Sequence, residues 1–258
     1  MELKRGDLVT RNSYNHDTVF KITNIKNDIY YLKGIEVRLY ADALKDDLKK
    51  YEIIENTEET SIIEENDLNL ERNEFFYIPA KILHIDGDKD YLEKCLKYYK
   101  KKGVYAIGKK IVEDQIYEQI LPLLKEHKPD IVIITGHDAY YSKKGNINDL
   151  NNYRNTANFA KAVKAARKYE KSHEKLVIIA GACQSNYEEL LKSGANFASS
   201  PKRINIHALD PAIIASTLAL TERNKEINLI ELLDKTKYGH DGIGGIKCNG
   251  LMYVGYPR

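Results

Sequence analysis

The sequence predicts an α/β protein: a mostly parallel sheet covered by helices on both faces, preceded by a small antiparallel β-barrel. Three observations predict it. Short β-branched runs at 82–85, 131–134 and 176–179 alternate with stretches of helical spacing, the pattern of strands buried on both faces. The first fifty residues instead place four or five short β-type segments between turn-prone residues. Between the two regions, residues 52–74 are acidic and hold too little apolar material to bury. The expected organisation is a barrel over 1–51, an acidic linker over 52–74 and an α/β domain over 75–258.

In chain order, the barrel segments are 7–10, 19–25, 29–32 and 36–39, punctuated by Asn15, Asn24, Asn27-Asp28 and Gly34. Their number and brevity suggest an SH3-like type. Arg72 is the one basic residue of the linker, which is expected to be solvated. From Phe75 onward, strands are expected at 82–85, 104–107, 131–134, 176–179 and 196–198. Helices are expected at 91–100, 111–125, 153–169 and 188–192. Asp210-Pro211 then opens a helix, with Asp as N-cap and Pro in the first position. Asn249-Gly250 predicts a closing hairpin over 246–254.

Composition excludes several functions. The 258 residues are 43% hydrophobic, enough for a proper core. Forty basic against 38 acidic residues give a net charge of +2, which argues against a dedicated nucleic-acid binder. No apolar run approaches the ~18 residues of a membrane span, and the N-terminal segment lacks the apolar stretch of a signal peptide. Cys95, Cys183 and Cys248 form neither a disulfide framework nor a CxxC pair. A soluble, cytoplasmic protein without nucleic-acid or membrane partners is expected. His84, Asp86 and Asp88, or His137 and Asp138, lack a known metal-ligand spacing, and no glycine-rich nucleotide loop is present. No metal or cofactor is therefore expected.

The chemistry should sit beyond the carboxyl ends of the strands. Two strands end in similar words, IVIITGHDAY and LVIIAGACQS. If they are neighbours, His137 and Cys183 emerge at one sheet edge, as a nucleophile and its base would. The imidazole would favour thiolate and later protonate a leaving amine. Backbone amides of Gly136, Asp138, Gly181, Ala182 and Cys183 are candidates for holding an oxyanion. Cys95 and Cys248 are expected to be structural, as are His84 and His207.

His and Cys 46 residues apart, each after a hydrophobic strand, resemble the caspase-like cysteine peptidases. That family places His after its third strand and Cys after its fourth. The wider clan has Gly directly after the His, where Asp138 stands here. A closer resemblance runs through HIDGD, ITGHDAY, KGNINDLNNYR, GACQS, GANFASSP, NIHALDP and the N-terminal GDLVTRNSYNHDTVFKI. Together, in this order, they resemble the YabG-type sporulation peptidases of endospore-forming bacteria. The resemblance implies a caspase-like fold and a cysteine endopeptidase of the mother cell with His137 and Cys183 as dyad. It also implies cleavage after Arg, and spore coat and cortex-associated precursors as protein substrates.

Arginine preference requires an acid in the pocket for the residue before the cut, since guanidinium pairs with carboxylate through two parallel bonds. The loop after the first strand borders that pocket in this architecture, which nominates Asp86 and Asp88, with Asp138 a third candidate. Arg72 would then be a self-cleavage site. Two other readings stand beside this one. Gly181–Ser185 comes within one residue of a Gly-x-Cys-x-Gly elbow, as in glutamine-amidotransferase-like thiol hydrolases, although there the His follows the nucleophile. A coat-assembly scaffold without enzymatic activity is the other.

Overall fold

The computed structural model describes residues 3–51, 75–141 and 145–256. The expected linker over 52–74 and its Arg72 lie outside them. The described residues divide into two compact units: residues 3–36, 40–51, 75–77 and 254–256, and residues 37–39 with 78–141 and 145–253.

The first unit is built on a five-stranded antiparallel sheet in the order β4-β3-β2-β1-β5. Its strands are β1 (Leu8–Arg11), β2 (Phe20–Lys26), β3 (Ile29–Gly34), β4 (Tyr40–Leu44) and β5 (Leu48–Lys50). Alternation drives it: Phe20 and Ile22 are fully buried while Lys21 between them is exposed. Asn27 and Asp28 take positive φ values of 50° and 61° between the paired Lys26 and Ile29, as a tight hairpin turn needs. One expectation fails here. Residues 36–39 are not a strand of this sheet; β4 begins at Tyr40, and residues 37–39 belong to the second unit. A short ribbon of β6 (Phe76–Ile78) and β13 (Tyr253–Gly255) lies where the chain passes between units.

The second unit carries a six-stranded sheet in the order β12-β11-β10-β9-β7-β8. The strands are β7 (Ile82–Asp86), β8 (Ala106–Lys110), β9 (Ile131–Thr135), β10 (Val177–Ala180), β11 (Phe197–Ser199) and β12 (Ile243–Gly245). β7 to β11 run parallel, and β12 closes one edge antiparallel to β11. Every residue of β7, β9 and β10 is buried, because helices cover both faces. On one face Ile85, Ile134 and Ile178 pack with residues of α2 (Ile116–His127) and α3 (Thr156–Tyr169). On the other, Ile82, Ile133 and Ile179 pack with α1 (Lys89–Lys101) and α5 (Asp210–Leu220). Truncating any of these isoleucines to Ala would cost about 2–5 kcal/mol. Three short helices complete the unit: α4 (Tyr187–Lys192), α6 (Leu229–Asp234) and α7 (Gly239–Gly242). No helix among the described residues is long and apolar enough to cross a membrane.

Two expectations near the C-terminus are overturned. Asn249-Gly250 does not turn a hairpin. Gly250 donates its amide to Lys225 O, and a Cβ there would lie 2.2 Å from Thr221 O. This glycine serves a close backbone approach instead. Asp210 does not cap its own helix; its carboxylate accepts the amides of His207 and Lys237, each at 3.0 Å.

Candidate active site

Register brings three strand ends level. Asp86 of β7 pairs with Thr135 of β9, and Ile134 of β9 pairs with Ala180 of β10. Counting on from these rungs, Asp88 and His137 lie two positions past one pair and His137 and Cys183 three positions past the other, all beyond the same ends of three adjacent strands. The same strands that fill the core thus carry all three residues to the same edge of the sheet.

His137 sits in a polar setting. Glu113, from the loop before α2, accepts the His137 amide at 2.7 Å and lies 3.4 Å from Nδ1. Asp88 Oδ2 is 3.7 Å from Nε2, and the Tyr91 ring lies 5.9 Å from the imidazole. Asn155 donates to the His137 carbonyl at 2.8 Å. Two glycines make room for Glu113: a Cβ on Gly87 or Gly136 would fall 2.3 or 2.4 Å from its Oε1. Burial alone would raise the Glu113 carboxyl, but the His137 ring and amide hold it below its ordinary value. No sequence signal singled out Glu113, which precedes its helix in an unremarkable VEDQ.

Cys183 is in the opposite condition. It is fully buried, with its sulfur 3.3 Å from the Ile206 amide. Burial pushes the thiol up to about 11, against the Ile206 amide and the charge and backbone amide of Arg38, which favour thiolate. The turn leading past it is tight: Gly181 has φ +105°, and Gln184 holds φ 59°, a costly value for a residue with a Cβ. Gln184 is secured by amide bonds to Ile204 O and Ser200 Oγ. Its side chain accepts from the Tyr140 amide.

The three expected pocket acids fall into different roles. Asp88 caps α1, accepting the amides of Asp90 and Tyr91, while its second oxygen faces His137. Asp138 is a buried hub: it accepts from Ala139 N, Asn155 N, Ser185 Oγ and Thr156 Oγ1. It thereby ties the loop after β9 to the turn after β10 and to the start of α3. Burial raises its carboxyl, with those bonds opposing. Asp86 is fully buried against Arg38 Nη1 at 2.5 Å and also accepts from Thr135 Oγ1 and Asp88 N. Burial would raise it, but Arg38 first, then His84 and the Asp88 amide, hold it far below the usual carboxylate range. His84 bonds Tyr99 OH and Thr135 Oγ1; burial lowers it despite Asp86.

The expected oxyanion amides also divide. Gly181 N donates to Ile134 O and Ala182 N to Ser185 Oγ. Arg38 is the residue that sequence reasoning placed elsewhere. It is 1% exposed, and its Nη2 donates to Ala208 O at 3.2 Å, with Cζ 5.0 Å from the Tyr91 ring. Cys95, expected to be structural, donates to the same Ala208 carbonyl.

The sheet carries a histidine and a cysteine past the ends of neighbouring strands, beside a buried Arg38–Asp86 ion pair, and comparison with known proteins gives the class: a peptidase. The family model of YabG peptidase U57 matches residues 4–257. The chain is 41% identical over 286 aligned positions to the sporulation-specific protease YabG of Bacillus subtilis (strain 168), covering 100% of this chain and 99% of that protein. The chain belongs to the YabG peptidase U57 family.

Proposed function

We propose that this peptidase is a cysteine endopeptidase with Cys183 as nucleophile and His137 as base. The observation that carries this reading is the register: both residues lie three positions beyond the paired Ile134 and Ala180 of neighbouring parallel strands. The Cys183 proton passes to His137, and the thiolate adds to the scissile carbonyl. The imidazolium then protonates the departing amine, leaving a thioester. His137 next takes a proton from water, whose oxygen displaces the thiol and releases the acid. Glu113 and Asp88 hold the ring from two sides. Since the Gly181 and Ala182 amides already have partners, the amides of Gly136, Asp138 and Cys183 are our candidates for the oxyanion.

Asp86, which already holds a buried guanidinium, supports cleavage after Arg; Asp88 and Asp138 are occupied by capping and loop-tying bonds. The strand order, with one antiparallel edge strand, supports a caspase-like domain, and the antiparallel sheet in which β5 returns to pair with β1 supports an SH3-like one. The domain boundaries proposed are 1–51, 52–74 and 75–258. In line with the resemblance of its sequence blocks to the YabG-type peptidases, the proposed substrates are spore coat and cortex-associated proteins, met in the mother-cell cytoplasm at the forespore coat. Family membership favours this over the amidotransferase-like and scaffold readings. Self-cleavage at Arg72-Asn73 belongs to the same proposal.

The test is labelling with a peptidyl-arginine chloromethyl ketone and mapping the adduct. Modification of Cys183 with loss of activity supports the reading; full activity after complete alkylation of Cys183 refutes it. Fragments meeting at 72/73 in wild type, and absent in Cys183→Ala, would support self-cleavage; their presence in both would remove it.

A further inference from the structure

Residues 37–39 stand between β3 and β4 in the chain yet pack within the second unit. Val37 forms an antiparallel bridge with His207, and the Tyr91 hydroxyl donates to the Val37 carbonyl at 2.8 Å. Arg38 follows, its charge and amide favouring the Cys183 thiolate and its side chain buried among Asp86, Tyr91 and Ala208. This is how an extended peptide adds to a strand-like edge, with a pocket reading one side chain.

We propose that residues 37–39 are a tethered substrate mimic: Arg38 occupies the enzyme's own arginine pocket and must leave before a substrate arginine can enter. The proposal rests on Cys183 being the nucleophile and on Asp86 reading arginine. In it, Val37 marks where the residue before the substrate arginine lies, paired with the His207 backbone and held by Tyr91.

Two features separate this segment from a structural strut. A buried ion pair is a poor stabiliser compared with apolar packing, because both charges lose their hydration. The Arg38 Nε is moreover buried without a hydrogen bond, so the guanidinium is held by part of its donor set. Second, Leu39 N donates to Val37 O at 2.9 Å. That three-residue turn is centred on Arg38 and contracts the chain at the bond that would be cut. The segment therefore fills the pocket without presenting an extended scissile bond.

A tethered occupant lowers the fraction of enzyme that can bind, and raises the apparent KM by the same factor. Hydrolysis of a peptidyl-arginine amide should show KM about tenfold or more lower in Arg38→Ala; Arg38→Lys should fall between. Unchanged KM in folded Arg38→Ala overturns the proposal. Should that variant fail to fold, the wild-type chain provides the measurement. Saturation with a peptidyl-arginine aldehyde should accelerate hydrogen exchange at the amides of residues 37–39, and protection that persists with the aldehyde on Cys183 overturns it. Cys183→Ala separates the two levels: if it retains activity, the nucleophile assignment itself fails. If Cys183→Ala is dead and the Arg38 experiments are negative, the tethered mimic alone fails.

Discussion

The ends of β9 and β10 are neighbours in the sheet and opposites in environment. His137 is partly solvated, flanked by Glu113 and Asp88, and tied through its own backbone. Cys183 is buried, and its thiol is pushed up to about 11. In the proposed mechanism the base is therefore already oriented, while the nucleophile is closed off, its thiol raised by burial. On that proposal, activation would be a matter of opening one strand end, with the other left as it stands. An imidazole is set in place by hydrogen bonds, whereas a thiol is quiescent when surrounded by apolar groups and reactive when uncovered beside a cation.

The largest effect that could break this contrast is loss of either dyad member. Cys183→Ala and His137→Ala should each reduce peptide hydrolysis by about a thousandfold or more with little change in thermal melting. A residue that can be removed with activity intact is not part of the dyad. Next comes the pocket. Asp86→Asn leaves the Arg38 charge buried beside a neutral amide and should cost about 3–5 kcal/mol in urea unfolding. It should also erase preference for Arg over uncharged residues before the cut; a retained preference would move the pocket acid elsewhere. Glu113→Gln sharpens the picture of a preset base: kcat should fall by roughly 10–100-fold with KM unchanged. A rise in KM with kcat intact would make Glu113 a substrate contact instead.

The smallest effect is in the pH dependence of stability. Asp210 is pushed by burial up to about 6, against the Lys237 and His207 amides. A raised carboxyl contributes stability that is complete below its unfolded value near 4 and lost as pH rises through 6, on the order of 2 kcal/mol. Asp86 is shifted the other way, so its contribution is present above about 4 and lost as pH falls below it. Unfolding free energy should therefore peak at about 4 and fall between about 4 and 6 as far as these two groups decide it. Asp210→Asn should flatten the alkaline side; an unchanged slope there would show that Asp210 is ionised at no cost.

The mixed α/β class and the two strand-end words were legible because β-branched runs and the Gly that follows them are local signals. Asp88 and Asp138 were found as acids near the site, but their hydrogen-bonding roles depend on which loops meet, which no spacing encodes. Glu113 left no trace in sequence because its position depends on clearance provided by Gly87 and Gly136 from two other strand ends. Residues 36–39 were misread because an alternating Val-Arg-Leu suits a barrel strand as well as it suits an extended segment in a groove. Gly250 was misread because glycine marks both tight turns and close backbone contacts.

The level register of β7, β9 and β10 also fixes where this chain can change length. Parallel strands advance about 3.3 Å per residue and alternate faces. One residue inserted between Ile134 and His137, or between Ala180 and Cys183, would lengthen one strand end and not its neighbour and so displace imidazole and sulfur relative to each other. The six residues from one paired rung to the two side chains thus act as a ruler, and families sharing this site should carry their insertions outside it.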